Sequence, residues 1–353
     1  MAIISDDMII HRAKSKNPNI KSETIEYDKT FENTIRPKDF DNYIGQSELK
    51  ESLKITLEAA KIRNKPLDHL LFYGPPGLGK TTIAGVIATQ MGVEIKVTSA
   101  PALERPRDII GILMSLRGGE ILFIDEIHRL NKVAEEILYP AMEDFILDMT
   151  TGKSQTAKTL RVSIPKFTLI GATTKAGDLS SPLRDRFGMI YRLEFYSINE
   201  LSKVIKRTAK ILDITITDDG ANAIAMRSRG TPRIANRLVK RVSDFAIVKF
   251  DGIINEKVAN ESLDILKIDS FGLDTTDRAL LNLIIEKHNG GPVGIETIAA
   301  ALSEDVRTIE DVCEPFLLQA GLLQRTPRGR KVSPEAYRHL GLKIPSEQKT
   351  LFD

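Results

Sequence analysis

The chain is poor in the residues that staple, stack or anchor. It has a single cysteine, Cys313, in 353 residues, so no intrachain disulfide can form. A lone thiol reads as a small buried hydrophobe rather than a reactive group. Tryptophan is absent and aromatics make up 6% of the chain, which argues against base-stacking platforms as the main contact with nucleic acid. The five histidines are scattered without HxH or HxxxH spacing, so a zinc site built by the protein is not expected. No apolar run approaches the roughly 20 residues of a membrane span. The first ten residues include Asp6 and Asp7 and lack a basic start before an apolar core, so no secretory signal is read and a cytoplasmic location is expected. Net charge is only +2, so any contact with nucleic acid must come from local clustering of charge.

What is present suffices for several cores. The chain is 42% hydrophobic, and its length suits two or three domains. Residues 1–34 are polar and mixed in sign, and read as a tail. Residues 46–61 carry Leu49, Leu53, Leu57 and Ala60 at helical spacing. Three short apolar runs follow, at 69–73, 121–124 and 167–170, separated by helical patterns. That alternation predicts a parallel sheet covered on both faces. All three runs place polar residues at their carboxyl ends, where such sheets bind ligands. Residues 144–166 read as strand, Gly/Ser/Thr-rich tip and strand, a β-hairpin at about 145–167.

Past Tyr196 the period is helical, at 199–212, 218–228, 232–249 and 255–266. Thr231 is the expected N-cap of the third helix and Pro232 its first residue. From Ser270 the pattern is helix (277–287), helix (294–302), helix (306–320), then two strands (322–326 and 330–333) about a tight turn. This is the layout of a winged helix. The expected fold is α/β: a P-loop parallel-sheet domain at 35–196, a small all-helical domain at 197–268, a winged-helix head at 269–345 and a tail at 346–353.

The nucleotide signal is specific. Gly74-Pro-Pro-Gly-Leu-Gly-Lys-Thr81 fits G-x-x-x-x-G-K-[ST], with a strand before it and a helix after it. Gly77 and Gly79 let backbone N–H groups approach phosphate, and the helix presents its N-terminus to the anion. Lys80 reaches the β/γ-phosphates, and Thr81, next to Thr82, offers its hydroxyl to Mg²⁺. Asp125 and Glu126 end the second strand. Asp125 suits the metal, and Glu126 is placed to polarise an attacking water. Thr174, after the third strand, suits the γ-phosphate or that water, though on residues alone it also reads as a cap. Phosphoryl transfer needs further positive charge at the γ-phosphate, worth about 10³–10⁵ in rate when a neighbouring arginine supplies it. Ser181-Pro-Leu-Arg184-Asp-Arg186 offers two candidates, and a solvated basic turn is the alternative reading.

GPPGLGKTT at 74–82, LFIDEIHRL at 122–130, LIGATT at 169–174, SPLRDRFG at 181–188 and GTPRIANRL at 230–238 resemble the AAA+ ATPases. IRPK at 35–38, YIGQ at 43–46, LYPAMEDF at 138–145 and QRTPRGR at 324–330 narrow the resemblance to the RuvB family of Holliday-junction branch-migration motors. The resemblance implies a large ATPase domain, a helical lid and a winged-helix head, with ATP and Mg²⁺ as ligands. It implies a homohexameric ring around duplex DNA, acting in recombination and repair with RuvA, which binds the junction, and RuvC, which resolves it.

Residue roles follow from the same resemblance. Ile35 and Arg36 match adenine-side contacts, and Glu143, Asp144 and Phe145 match a segment near nucleotide. Arg186 matches the trans arginine finger, with Arg184 as runner-up. Arg233 matches the lid arginine that senses γ-phosphate, and Tyr196 a nucleotide contact at the domain joint. The hairpin matches the RuvA-binding element. Its polar tip leaves Ile146, Leu147, Leu160 and Val162 to supply an apolar contact.

The DNA contact is argued from charge. Residues 270–345 hold nine Lys/Arg against ten Asp/Glu, so the head is not basic overall. Arg325, Arg328, Arg330 and Lys331 cluster on the wing, whereas Glu310, Asp311 and Glu314 lie on the candidate recognition helix, where they would repel phosphate. The wing, through Arg325 and Arg330, is therefore expected to touch phosphates without sequence preference. Two other classes stay open: a clamp-loader-type switch without processive movement, and a winged-helix transcription regulator.

Overall fold

The computed structural model describes residues 32, 34–151 and 158–344; for 149–151, 158 and 159 it describes the backbone only. The two expected tails, apart from residues 32 and 34, and the hairpin tip at 152–157 lie outside the described residues. Ile35 and Arg36 close a first compact unit ending at Arg36, in which Arg36 pairs with Glu32 at 3.7 Å. All that follows concerns the second unit, from Pro37 onward.

Five parallel strands form the central sheet in the order β2-β3-β6-β1-β7. They are β1 (Leu70–Tyr73), β2 (Ile95–Ser99), β3 (Ile121–Asp125), β6 (Thr168–Thr173) and β7 (Met189–Arg192). The alternation of side chains along a strand builds two cores from consecutive residues. Phe72, Phe123 and Ile170 face Leu53, Leu57, Ile83 and Ile87, from the helices Ser47–Arg63 and Lys80–Met91. Their neighbours Leu71, Leu122 and Leu169 face the other way, onto Ile109, Leu113 and Leu138. Each such fully buried side chain contributes about 1.5–3 kcal/mol of hydrophobic stabilisation. The central strands β1, β3 and β6 are the three apolar runs of the sequence. The edge strands β2 and β7 were not expected, because IKVTS and MIYR are only half buried and lack an apolar run.

The hairpin is present, as antiparallel strands β4 (Ile146–Thr151) and β5 (Lys158–Ser163) with Leu147 opposite Val162. Of the four residues expected to offer an apolar contact, Leu147 is not available. It is buried in the ATPase core, whereas Leu160 is exposed and Ile146 and Val162 are half buried.

The lid has helices Ile198–Ile211, Asp218–Met226, Pro232–Lys249 and Glu256–Ile265. Ser197 and Glu200 form a reciprocal cap on the first. A two-residue parallel pair, β8 (Thr215–Ile216) with β9 (Ile253–Ile254), ties the helices and was not foreseen. Thr231 stands at the N-cap position, but its hydroxyl donates to the Arg229 carbonyl at 3.0 Å and does not cap the helix.

The head has helices Thr275–His288 and Ile295–Leu302 and a hairpin of β10 (Leu323–Thr326) with β11 (Gly329–Val332). Its third helix, expected to be regular, runs Val306–Thr308, a π turn Ile309–Cys313, then Glu314–Gln319. Cys313 is buried there, and burial pushes its thiol up to about 12, so it is inert. Among the described residues, no helix is long and apolar enough to cross a membrane.

Candidate nucleotide and DNA sites

Parallel registry brings the chemistry to one edge. Tyr73 lies beside Thr173, with β6 between β1 and β3. The P-loop, Asp125-Glu126 and Thr174 thus leave the sheet at the same end. Gly77 and Gly79 hold φ of 79° and 99°, in the left-handed region, and the loop runs straight into the helix Lys80–Met91. Thr81 and Thr82 are in its first turn, half buried.

Lys80 is buried at 7% exposure, and its ammonium donates to the carbonyls of Gly74 at 2.7 Å and Pro75 at 3.0 Å. Desolvation lowers its pKa to about 8, against the pull of Glu126 and Asp125. Burial likewise raises Asp125, while the Glu126 N–H, donating at 3.0 Å, opposes the rise. An anionic phosphate beside Lys80 and a cation beside Asp125 would relieve the two penalties. The donor set therefore fits a phosphate-bound divalent ion, for which Thr81 and Asp125 would be the protein ligands.

Glu126 sits in a left-handed conformation, φ 48°. Its carboxylate accepts from the Thr174 hydroxyl at 3.1 Å and N–H at 3.3 Å, with His128 3.3 Å away. Thr174 thus positions the acid that would polarise water. The lid closes over the loop. Arg233 N–H donates to the Gly77 carbonyl at 3.4 Å, and a Cβ at Gly77 would stand 2.7 Å from Thr231 Cγ2. Arg233 also acts electrostatically on Lys80 and Asp125. Tyr196 is buried at the joint, its hydroxyl donating to Tyr43 and to the Leu78 carbonyl, each at 3.4 Å. Tyr43 lies 3.2 Å from the Cβ position of Gly79, a neighbour of the loop to which no role was given from sequence; only the YIGQ match marked it.

Residues 35–193 match the family described as the Holliday junction DNA helicase RuvB P-loop domain. Residues 196–269 match the RuvB AAA lid domain, and 270–341 the RuvB C-terminal winged helix domain. This chain belongs to the RuvB family. A relative from Crocosphaera subtropica, named Holliday junction branch migration complex subunit RuvB, is 57% identical across 98% of this chain and 99% of its own length. One of the same name from Rippkaea orientalis is 59% identical across 92% of this chain and 90% of its own length. The solved Thermotoga maritima RuvB Holliday junction branch migration motor superposes with a TM-score of 0.81 at 50% identity, covering 88% of this chain and 100% of that one.

Against this RuvB-family frame, Arg186 and Glu143 form a cluster of their own. The Arg186 guanidinium donates to the Pro182 carbonyl at 2.6 Å, pairs with Glu143 at 3.1 Å, and lies 4.3 Å from the Tyr139 ring centre. Its Nε is buried without a partner. Tyr139 is held in turn by Glu135. Asp144 is an exposed helix end, and Phe145 packs edge-on to Phe167 at 6.0 Å, inside the ATPase domain.

The wing differs from expectation. Glu314 does not face solvent: it is 1% exposed and binds both Arg325 and Arg330. Arg330 is 13% exposed and also reaches Glu310 at 3.4 Å. The hydrogen bond to Glu314 holds the Arg330 guanidinium above its ordinary pKa. Arg330 is therefore the counter-ion of a buried acid rather than a free phosphate contact. Arg325 remains half exposed, and Arg328 at the turn is exposed. Lys175, next to Thr174, pairs with Asp311 at 3.2 Å and Glu310 at 3.9 Å, so the acidic face of this helix points at the ATPase domain.

Proposed function

We propose that this chain is an ATP-driven DNA translocase subunit that, with RuvA, drives branch migration of Holliday junctions in recombination and DNA repair. The observation that carries it is the union, in one RuvB-family chain, of a complete P-loop site with a winged-helix head whose wing presents arginine. Lys80, Gly77, Gly79, Thr81 and Thr82 hold the phosphates of ATP, with Arg233 and Tyr196 at the lid side. Thr81 and Asp125 would hold Mg²⁺, which when bound would neutralise charge on the phosphates. Glu126, oriented by Thr174, takes the proton of the attacking water.

Arg186 completes a neighbouring subunit's site, with Glu143 and the adjoining Asp144 and Phe145 shaping that surface. Its fixation on Tyr139 suits a group that must meet a phosphate in another chain without searching rotamers. That role makes the homohexameric ring part of the active site. The hairpin docks RuvA through Leu160, Ile146 and Val162. The wing follows duplex DNA through Arg325 and Arg328, with Arg330 holding the wing in place, and RuvC acts on the same junction. The setting is the cytoplasm. A clamp-loader-type switch is separated from this reading by steady-state kinetics. A translocase hydrolyses ATP continuously, faster on duplex DNA, and keeps doing so as the duplex is lengthened. A single burst of turnover on DNA, with no steady rate, would contradict the proposal.

A further inference from the structure

Residues 229–233 join two sites that the functional reading treats apart. One end rests on the P-loop. Thr231 and Arg233 pack against Gly77, and the Gly230 carbonyl accepts the Tyr196 N–H at 2.9 Å. The other end enters the head. Arg229 turns out of the segment at φ 53°, a left-handed conformation costly for a residue with a side chain. Its Nε donates to the Gly272 carbonyl at 2.6 Å. Its terminal nitrogen pairs with Asp277 at 2.6 Å and Asp274 at 3.0 Å, and its guanidinium lies 5.3 Å from the Phe316 ring centre. The pocket is closed: the Arg229 side chain is 10% exposed and Asp277 0%. Burial raises the Asp277 carboxyl to about 6, against the pull of the Arg229 guanidinium beside it.

Two neighbours tighten the joint. A Cβ at Gly272 would stand 2.6 Å from the Arg227 carbonyl, so the chains meet backbone to backbone. The Thr231 hydroxyl, diverted from capping, locks the turn onto the Arg229 carbonyl. The ATPase domain's own tie to the head, Lys175 with Asp311, has both partners more than a third exposed. Exposed pairs of that kind hold weakly.

We propose that Arg229 is a positioning residue for the motor, fixing the winged-helix head to the segment that reads the P-loop, so that head and lid move as one body. The inference rests on the translocase reading for its consequence, but the joint itself is testable without it. The full chain is examined as wild type, Arg229→Ala, Arg229→Lys and Asp274→Asn. Asp274 also caps the helix Thr275–His288, accepting from the Thr276 and Asp277 N–H groups, and asparagine is an equally good cap, so the change removes the charge and spares the head's fold.

Probes on lid and head report their distance by energy transfer, with ADP and with a non-hydrolysable ATP analogue. Wild type gives one narrow distance in both states. Arg229→Ala broadens it, and Arg229→Lys, which keeps one ion pair, restores it in part. With RuvA and a four-way junction, Arg229→Ala retains basal ATPase to within about twofold but moves junctions about tenfold less per ATP hydrolysed, a loss typical of broken coupling between sites. Asp274→Asn shifts the same ratio in the same direction, which keeps the test open if Arg229→Ala does not fold. The inference is overturned if Arg229→Ala and Asp274→Asn keep the wild-type distance distribution and junctions moved per ATP. It is equally overturned if basal ATPase, duplex binding and junction movement fall in parallel. Should wild type itself fail to move junctions, the translocase reading fails, and the lid–head distances still decide the joint.

Discussion

Removing Arg330 should destabilise the head before it touches DNA affinity. Glu314 is 1% exposed, and its two cationic partners are Arg330, 13% exposed, and Arg325, 55% exposed. Breaking a buried pair by deleting one partner costs about 3–5 kcal/mol, because the remaining charge stays desolvated. Arg325 stays in Arg330→Ala, so the lower end, about 3 kcal/mol, is expected. At about 4–8 °C per kcal/mol for a domain of this size, the head should unfold about 12–24 °C below wild type in a thermal scan of the full chain. Arg328→Ala, at an exposed turn, should leave the transition unmoved. It should instead lower duplex affinity and reduce the slope of log K against log salt by about 0.9, the loss of one phosphate contact. The double change Arg330→Met with Glu314→Leu exchanges the ion pair for apolar bulk and should regain most of the stability with the salt slope unchanged. An Arg330→Ala protein that melts like wild type while its slope drops by one phosphate would refute this reasoning and restore Arg330 as a DNA contact.

Lys80 predicts proton uptake on ATP binding. Its folded pKa of about 8 lies below the ordinary 10.5, so stability rises with pH between 8 and 10.5, and below 8 the buried ammonium costs about 3 kcal/mol that phosphate would offset. Titration calorimetry at pH 8 in buffers of different ionisation enthalpy should show about half a proton taken up per ATP, and none for Lys80→Met. Gly77→Ala forces a Cβ to 2.7 Å from Thr231 and a side chain into φ 79°. Fluorescent-nucleotide affinity should fall by about 5–30-fold, since the strain alone costs about 1–2 kcal/mol. Mixing Arg186→Ala subunits into wild-type rings should depress ATPase more steeply than in proportion to mutant content. A strictly proportional fall would mean that the arginine serves only its own chain.

The sheet centre was legible because burial on both faces demands unbroken apolar runs, and LLFY, ILFI and TLI supply them. The edges β2 and β7 were not, because IKVTS and MIYR become strands only by pairing with a neighbour. The P-loop and Asp125-Glu126 were legible because their chemistry is local in sequence. Arg229 with Asp277, Glu314 with Arg330, and Tyr139 with Arg186 were not: each pair spans 16 or more residues and no spacing rule relates them. The wing shows the limit most clearly. Counting charge placed Glu314 in a groove, repelling phosphate, whereas packing turned it inward to hold Arg330 as its counter-ion. The π turn Ile309–Cys313 lies immediately before Glu314, and periodicity gave no sign of it.

The central claim is that ATP hydrolysis at Lys80 and Glu126 is converted into movement of a branched duplex. It is tested most directly by ATP-dependent dissociation of a synthetic four-way junction, with and without RuvA. The account predicts dissociation that needs ATP and Mg²⁺, is strongly accelerated by RuvA, and is abolished by Glu126→Gln while nucleotide binding persists. Duplex-stimulated ATP hydrolysis with the junction left intact, in the presence of RuvA, would contradict it.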